Sequence, residues 1–101
     1  MTKLQEKEII STILNYGVKP HLSGFKFLVD ATEIMLNDKQ RTKSICQIYN
    51  EVAAINNTTS SKVERAIRNA RALTESKEIK KMCNAEFMAR IVLQVSFGIV
   101  E

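Results

Sequence analysis

Residues 48–73, with the sequence IYNEVAAINNTTSSKVERAIRNARAL, are the part of the chain that is most informative about its structure. Its first part spaces Ile48, Val52 and Ile55 as one apolar stripe along a helix. Residues 56–58 then break the pattern, because asparagine and threonine favour turns and helix caps. A second periodic segment follows, so the stretch predicts two short helices joined by a polar turn.

The second helix is predicted over about residues 60–73, and its start has three candidate caps. Thr59, Ser60 or Ser61 can each accept a hydrogen bond from the first helical turn. Ser61 together with Glu64 also fits the S-x-x-E pattern of a capping box. The pattern leaves the three positions open.

This second helix has two unlike faces. Its apolar, mostly small face consists of Val63, Ala66, Ile67 and Ala70. Its polar face holds Ser61, Glu64, Arg65 and Arg68, and its margins hold Lys62, Asn69 and Arg71. Residues 58–73 contain four basic residues and one acidic residue, so this helix carries +3 of the chain's net charge of +4.

A basic helix that follows a short helix and a tight turn predicts a helix-turn-helix, whose second helix enters the major groove of DNA. The alternative is an ordinary amphipathic helix with a solvated basic face. A net charge of +4 on 101 residues agrees with a polyanionic partner but is moderate. The charge therefore permits nucleic-acid binding without requiring it.

The whole chain has the composition of an all-α protein. Its 101 residues suffice for one domain with a modest core, and they include only one proline and three glycines. No alternating run of the strand type competes with the helical pattern. We expect a single compact domain of five or six helices containing a helix-turn-helix. The other helices are predicted over about residues 3–16, 24–36, 75–82 and from 84 onward.

Local signals mark the ends of these helices. Thr2 and Gln5 fit a capping box for the first helix, and Gly17 fits a glycine that ends it. Asn84 is expected to cap the last helix. The short helix over residues 75–82 is expected to be exposed.

The apolar residues predict the core. In the first two helices the candidates are Leu4, Ile9, Ile13, Tyr16, Phe25, Phe27, Leu28, Ala31 and Met35. The last helix is apolar nearly all round, with Phe87, Ile91 and Val95 expected in the core. Apolar residues then remain for a self-complementary patch that supports a weak dimer, namely Met88, Val92, Phe97 and Ile99.

The sequence offers little for catalysis. His21 is the only histidine, and no Cys, Asp or Glu accompanies it at ligand spacing. Cys46 and Cys83 are isolated, and we expect small core side chains rather than a disulfide or a metal site. The few glycines form no phosphate-binding loop. No enzyme activity, cofactor or metal is expected.

The chain also lacks the signals of membrane insertion or export. No apolar run reaches the length of a membrane span, and residues 1–10, MTKLQEKEII, lack the apolar core of a signal peptide. We therefore expect a cytoplasmic protein that does not bind a membrane.

Three blocks of residues resemble one known family. Residues 57–68, NTTSSKVERAIR, resemble the recognition-helix segment of the C-terminal effector domain of sporulation stage 0 protein A, the response regulator that commits endospore-forming bacteria to sporulation. The two weaker blocks comprise Gly17, Val18, His21, Gly24, Phe25 and Leu28, and then Asn84, Glu86 and Phe87. They fall in the family's order and cover most of the chain from about residue 9 to residue 93.

The resemblance implies a sequence-specific DNA-binding transcription regulator whose recognition helix, about residues 60–73, enters the major groove. It implies that the residues at the DNA surface are Thr59, Ser61, Lys62, Glu64, Arg65, Arg68 and Asn69. The implied partners are double-stranded DNA, the sigma subunit of RNA polymerase and a second copy of the chain in a weak homodimer on DNA. We expect one effector-like domain over residues 1–101 with no receiver domain before it.

The chain departs from the family's pattern at three places. Lys62 stands where the family often has Arg, Asn69 stands where it often has His, and the connection over residues 74–83 is shorter. An alternative function also stays open, a helical protein-interaction module that modulates another regulator or RNA polymerase without specific DNA binding. The expected exposure of Glu64, Arg65 and Arg68 together favours DNA, because clustered like charge costs energy unless a polyanion is near.

Overall fold

The computed structural model describes residues 3–38, 40 and 42–100, and the side chains of residues 5–38, 40 and 42–97 among them. These residues form six helices and no strand. The helices are α1 (Lys3–Asn15), α2 (Ser23–Asn37), α3 (Ile45–Ile55), α4 (Ser60–Ala72), α5 (Lys77–Lys81) and α6 (Asn84–Val100). The all-α class and the two helices around the polar turn are confirmed.

Helix α3 begins earlier than its apolar stripe indicated, because a reciprocal capping box fixes its first turn. The Ser44 hydroxyl accepts a hydrogen bond from the backbone N–H of Gln47 at 3.2 Å. The backbone N–H of Ser44 in turn donates to Gln47 Oε1 at 2.7 Å. The sequence pattern of S-x-x-Q was present at residues 44–47 and was missed.

The connection before α3 is organised by one carboxylate. The backbone N–H of Lys43 donates to Asp38 Oδ2 at 2.9 Å, and that of Thr42 donates to Asp38 Oδ1 at 3.2 Å. These bonds favour the ionised carboxylate, the bond from Lys43 most strongly, and they hold the pKa of Asp38 below its ordinary value of 3.8.

The turn between α3 and α4 spans residues 56–59 and closes α3 with a Schellman motif. The backbone N–H of Thr58 donates to the Ala53 carbonyl at 2.9 Å, and that of Asn57 donates to the Ala54 carbonyl at 3.4 Å. Asn57 has a φ of 56°, a left-handed conformation that asparagine tolerates better than most residues. The order helix, four-residue turn, helix is that of a helix-turn-helix.

Thr59 is the residue that caps α4. Its hydroxyl oxygen accepts a hydrogen bond from the backbone N–H of Lys62 at 3.2 Å. Ser60 and Ser61 lie inside the helix, so the structure selects Thr59 among the three candidates that the sequence left open.

Two other helix ends also bear on the predictions. Gly17 follows α1 at a φ of 90°, as expected of a glycine that ends a helix. Helix α5 is shorter than predicted and is capped by Ser76. Its residues are exposed as expected, except for Ile79, which is buried. The predicted capping box of Thr2 with Gln5 involves a residue outside the described ones, and the side chain of Leu4, expected in the core, is not among the described side chains.

Helices α1, α2, α3, α4 and α6 enclose the core, and α5 contributes Ile79 to it. The predicted core residues that are completely buried are Ile9, Ile13, Leu28, Ala31, Val63, Ile67, Ala70, Phe87, Ile91 and Val95. Those that pack at its edge are Tyr16, Phe25, Phe27 and Met35. Tyr16 meets Phe87 edge-on, with ring centroids 5.7 Å apart. Of the α3 stripe, Ile48 and Val52 are buried, whereas the terminal Ile55 is 62% exposed.

Helix α2 packs directly against the apolar face of α4 at Gly24. A β-carbon built on Gly24 would lie 2.3 Å from the carbonyl oxygen of Ala66 and 2.7 Å from the β-carbon of Ala70. Since a glycine is the only residue that permits this approach, α2 supports α4 through backbone contact.

Several expectations about burial are wrong. Met88 and Val92 are completely buried, because α6 packs against α1, α2 and α4, so these residues cannot contribute to a dimer patch. Cys46 and Cys83 are exposed free thiols rather than core side chains. The side chain of Ile99, also assigned to the patch, lies outside the described residues.

Candidate nucleic-acid interface

The sequence-predicted contact residues share the solvent side of α4. The helix is held to the core by Val63, Ile67 and Ala70. Six of the seven candidates are exposed, namely Thr59, Ser61, Lys62, Arg65, Arg68 and Asn69. The seventh, Glu64, is partly buried. The structure therefore places the predicted set on one side of one helix, opposite the core.

An open groove runs between α4 and α3. Its α4 side contains Ser60, Ser61, Glu64, Arg65 and Arg68. Its α3 side contains Cys46, Tyr49 and Asn50, which the sequence reasoning did not assign to the site. The predicted contact residues thus form one wall of a groove with two walls.

The charge of this surface is largely uncompensated. Arg68 Nη1 lies 3.5 Å from Glu64 Oε1, an exposed pair one turn apart that contributes little to stability. In the described part of the chain, the side chains of Lys62 and Arg65 have neither an ion-pair partner nor a hydrogen-bond partner. Two cations therefore face solvent with no internal role, beside a carboxylate that can accept a hydrogen bond.

The outer side of α3 extends this surface. Gln47 and Asn50 line a second open depression with Lys43 and Glu51. Lys43 Nζ lies 2.8 Å from Glu51 Oε1, so its charge is paired. The spacing of Gln47 and Asn50, opposite the buried Ile48, was the signal in the sequence that could have found them.

The turn before α4 is tied to α2 by a polar network. Asn56 Nδ2 donates to Asp30 Oδ2 at 2.8 Å and to the Val52 carbonyl at 2.8 Å. The ammonium group of Lys26 donates to Asn56 Oδ1. These bonds hold the turn before α4 against α2, and the contact at Gly24 holds the apolar face of α4 against α2 as well.

Arg71 does not lie at the margin of the polar face, and this expectation is wrong. The residue is only 8% exposed. Its Nη1 donates to the Lys80 carbonyl at 2.8 Å and to the Ile79 carbonyl at 3.3 Å, and its Nε donates to Asn84 Oδ1 at 3.1 Å. Both carbonyls lie near the end of the short helix α5, where helical donors run out. The Ile79 carbonyl also accepts from the backbone N–H of Met82 at 3.1 Å, and Arg71 donates to both carbonyls.

Asn84 bonds to α4 with its side chain, which corrects its expected role as a cap. Its Nδ2 donates to the backbone carbonyl of Glu64 at 3.1 Å while its Oδ1 accepts from Arg71. Tyr49 lies in the same cluster, where burial raises the pKa of its phenol and a hydrogen bond from Asn84 partly offsets that effect. No sequence periodicity marks this cluster.

Other chemistry is sparse in the described part of the chain. His21 is exposed in the connection between α1 and α2. Among the described residues, no group of three or more His, Cys, Asp and Glu side chains is placed to hold a metal ion. None of the helices described is both long enough and apolar enough to cross a membrane.

The chain matches a known protein family. The model of the family described as "Sporulation initiation factor Spo0A C terminal" matches residues 9–90. The matched segment begins inside α1, ends inside α6 and contains the whole groove between α3 and α4. All three blocks on which the sequence resemblance rests lie within it.

Proposed function

We propose that this chain is a sequence-specific DNA-binding transcription regulator, because it belongs to the family of sporulation initiation factor Spo0A C-terminal domains. The family is one of regulatory domains and not of enzymes. One observation carries the proposal beyond family membership: Lys62 and Arg65 are exposed together on α4 without partners among the described residues. Such unpaired cations can neutralise phosphates of a DNA duplex.

In this proposal α4 enters the major groove. Glu64 can accept a hydrogen bond from the exocyclic amine of cytosine, and Arg65, Arg68 or Lys62 can donate to guanine or to phosphate. Asn69 offers an amide to adenine or to a phosphate. The weak pair of Arg68 with Glu64 is exposed and can open at little cost when DNA binds.

The start of α4 and the outer side of α3 are proposed to contact the backbone of the duplex. Thr59 and Ser61 lie at the N-terminus of α4, where hydroxyls and free N–H groups suit a phosphate. Asn50 lies on the α3 wall of the groove, and Gln47 lines the second depression beside it. In a helix-turn-helix, the first helix crosses the backbone while the second lies in the groove.

Selection of bound duplexes from a random pool tests this function. The protein should enrich one related set of sites, and a labelled duplex carrying the site should bind at least about a thousandfold more tightly than a scrambled one. If several rounds of selection enrich no site, specific binding is ruled out.

The assembly and the setting of the protein are further parts of the proposal. One short recognition helix contacts few base pairs, so tight binding calls for two copies on adjacent half-sites. By membership of the family, we also propose the sigma subunit of RNA polymerase as a protein partner and the cytoplasm as the compartment. The chain acts in this proposal as one effector domain.

A second candidate function is a protein-interaction module, and one observation favours it. Leu93 and Phe97 are 56% and 59% exposed and lie one turn apart on α6. Two large apolar side chains at this spacing can contact a partner protein or a second copy of the chain. The selection experiment separates this function from the first, since a pure interaction module enriches no duplex.

A further inference from the structure

The cluster of Arg71 and Asn84 lies behind the surface proposed to contact DNA. Resting on the proposed function, we propose that Arg71 and Asn84 are positioning residues for base recognition: they fix the backbone of α4 at Glu64 and so determine how α4 presents the Glu64 carboxylate to the bases. Neither residue is placed to touch DNA, since Arg71 and Asn84 are each only 8% exposed.

Asn84 holds the backbone of the residue assigned to base contact. Its Nδ2 donates to the Glu64 carbonyl oxygen at 3.1 Å, and Asn84 itself is the first residue of α6. The bond thus joins α6 directly to the middle of α4. Because it uses the backbone of Glu64, the carboxylate of that residue stays available for a base.

Arg71 fixes which way the amide of Asn84 points. A guanidinium only donates hydrogen bonds and a carbonyl only accepts them. Arg71 Nε at 3.1 Å therefore requires the amide oxygen on its side, and the Glu64 carbonyl requires the amide nitrogen on the other. Bonds to the carbonyls of Ile79 and Lys80 hold the guanidinium in turn. The series of hydrogen bonds from α5 through Arg71 and Asn84 to α4 therefore permits one orientation of the Asn84 amide.

The use of a buried arginine favours positioning over stability. Among the described residues, no carboxylate lies within ion-pair distance of Arg71. Burying a cation held only by neutral oxygens costs solvation energy, and an apolar side chain of similar volume often gives equal or greater stability. The guanidinium does fix the directions of its hydrogen bonds, because its donors lie in one rigid plane.

Base recognition is sensitive to this position. Hydrogen bonds weaken steeply when their distance or angle departs from the narrow favourable range. A small rotation or shift of α4 at Glu64 therefore moves its carboxylate away from the base that it contacts. Contacts with phosphates tolerate such a shift better, since long basic side chains can follow the backbone.

Asn84→Asp is the variant that tests the proposal. The aspartate retains an oxygen for Arg71 but loses the donor to the Glu64 carbonyl. Binding is measured by fluorescence anisotropy with the selected duplex and with a duplex changed at the base pair that depends on Glu64. We expect the preference for the selected duplex to fall about tenfold, while affinity for a scrambled duplex changes less than about twofold.

Arg71→Lys provides a second variant that conserves charge. One ammonium group cannot donate to Asn84 and to both carbonyls with the fixed geometry of a guanidinium, so the preference should fall in the same direction. Ile91→Val is the matched control, since it removes one methylene from a completely buried side chain of the same helix. It should lower stability slightly and leave the preference unchanged.

A double-mutant cycle identifies Glu64 as the residue through which Asn84 acts. In a Glu64→Ala background, Asn84→Asp should change the preference less than about twofold, because the contact it positions is already gone. The carbonyl carbon resonance of Glu64 reports the bond from Asn84 without DNA and should shift in Asn84→Asp. Folding of each variant is checked by circular dichroism.

The outcomes separate the two proposals. A folded Asn84→Asp or Arg71→Lys protein that keeps the full preference overturns the positioning role while the proposed function stands. The positioning role is also overturned if Ile91→Val lowers the preference as much as Asn84→Asp does. It is overturned as well if the effects of Asn84→Asp and Glu64→Ala on the preference are additive. A wild-type protein that prefers no duplex overturns the proposed function, and with it any role of Asn84 in base recognition.

Discussion

Gly24 lies so close to Ala66 that a β-carbon on the glycine would stand 2.3 Å from the alanine carbonyl oxygen. This contact joins the start of α2 to the middle of α4, on the side of α4 that faces the core. Two helix backbones can approach this closely only where one of them lacks a side chain. The placement of the proposed recognition helix therefore depends on a residue that carries no functional group.

Gly24→Ala should destabilise the protein by about 1–3 kcal/mol, because α2 and α4 must separate to admit a methyl group. Urea unfolding followed by circular dichroism measures the change. Ser23→Ala is the control, since it alters an exposed residue one position earlier. An equal or smaller effect of Gly24→Ala than of Ser23→Ala would contradict the close packing.

Glu64→Ala should cost about 1–3 kcal/mol of binding to the selected duplex and relax the preference at one base pair. Arg68→Ala should weaken binding to every duplex. An ion pair on the surface of α5 and α6 provides matched controls. Arg90 Nη1 lies 2.8 Å from Glu78 Oε1. Glu78→Ala and Arg90→Ala remove the same charges and should leave binding within about twofold, as measured by anisotropy titration.

Lys62→Arg and Asn69→His should shift the preferred site towards the one that the family recognises. Arginine supplies the planar pair of donors that binds guanine, which lysine lacks. The measurement is affinity across a panel of single-base variants of the selected duplex. Identical profiles for the wild type and the double variant would show that these two positions do not determine the site.

The stability of the protein should depend on Asp38 at acidic pH. Because the pKa of Asp38 is lowered in the folded state, the unfolded chain takes up a proton first as the pH falls. The contribution is fully present above the ordinary value of 3.8 and is lost as the pH falls through the lower folded value. The melting temperatures of wild type and Asp38→Asn should therefore converge below pH 4. A difference that stays constant down to pH 2 would contradict this.

Two half-sites on one duplex should bind two copies with positive cooperativity, which light scattering and anisotropy can measure. Phe97→Ser should reduce the cooperativity, because Phe97 is the member of the proposed patch that is observed to be exposed. Leu14→Ser is the control on α1, where a large apolar side chain is also exposed. If the wild-type protein is strictly monomeric and fills the half-sites independently, pairing through α6 is wrong.

The sequence predicted most of the fold because the helical stripes are regular. Val63, Ile67 and Ala70 recur at helical spacing, and each is completely buried. The polar side of the same helix could be assigned for the same reason. Chain ends and turns were less predictable, since Thr59, Ser60 and Ser61 are equally good caps and only the path of the turn selects Thr59.

What the sequence could not provide were contacts between distant residues. Arg71 has the spacing of a surface residue, and only the return of the chain through α5 and α6 buries it. Met88 and Val92 were surplus apolar residues in sequence, but three helices pack around α6 and bury them. Cys46 and Cys83 show the opposite error, since small apolar size does not determine burial.

The burial of Arg71 sets a limit on the counterions that α4 can displace. Of the four basic residues in this part of the chain, only Lys62, Arg65 and Arg68 reach solvent. Each neutralised phosphate contributes about −0.9 to the slope of log affinity against log salt concentration, so α4 alone accounts for a slope of about −2.7 at most. A steeper slope therefore measures the phosphates held by α3 and the rest of the chain, and a scrambled duplex suffices to determine it.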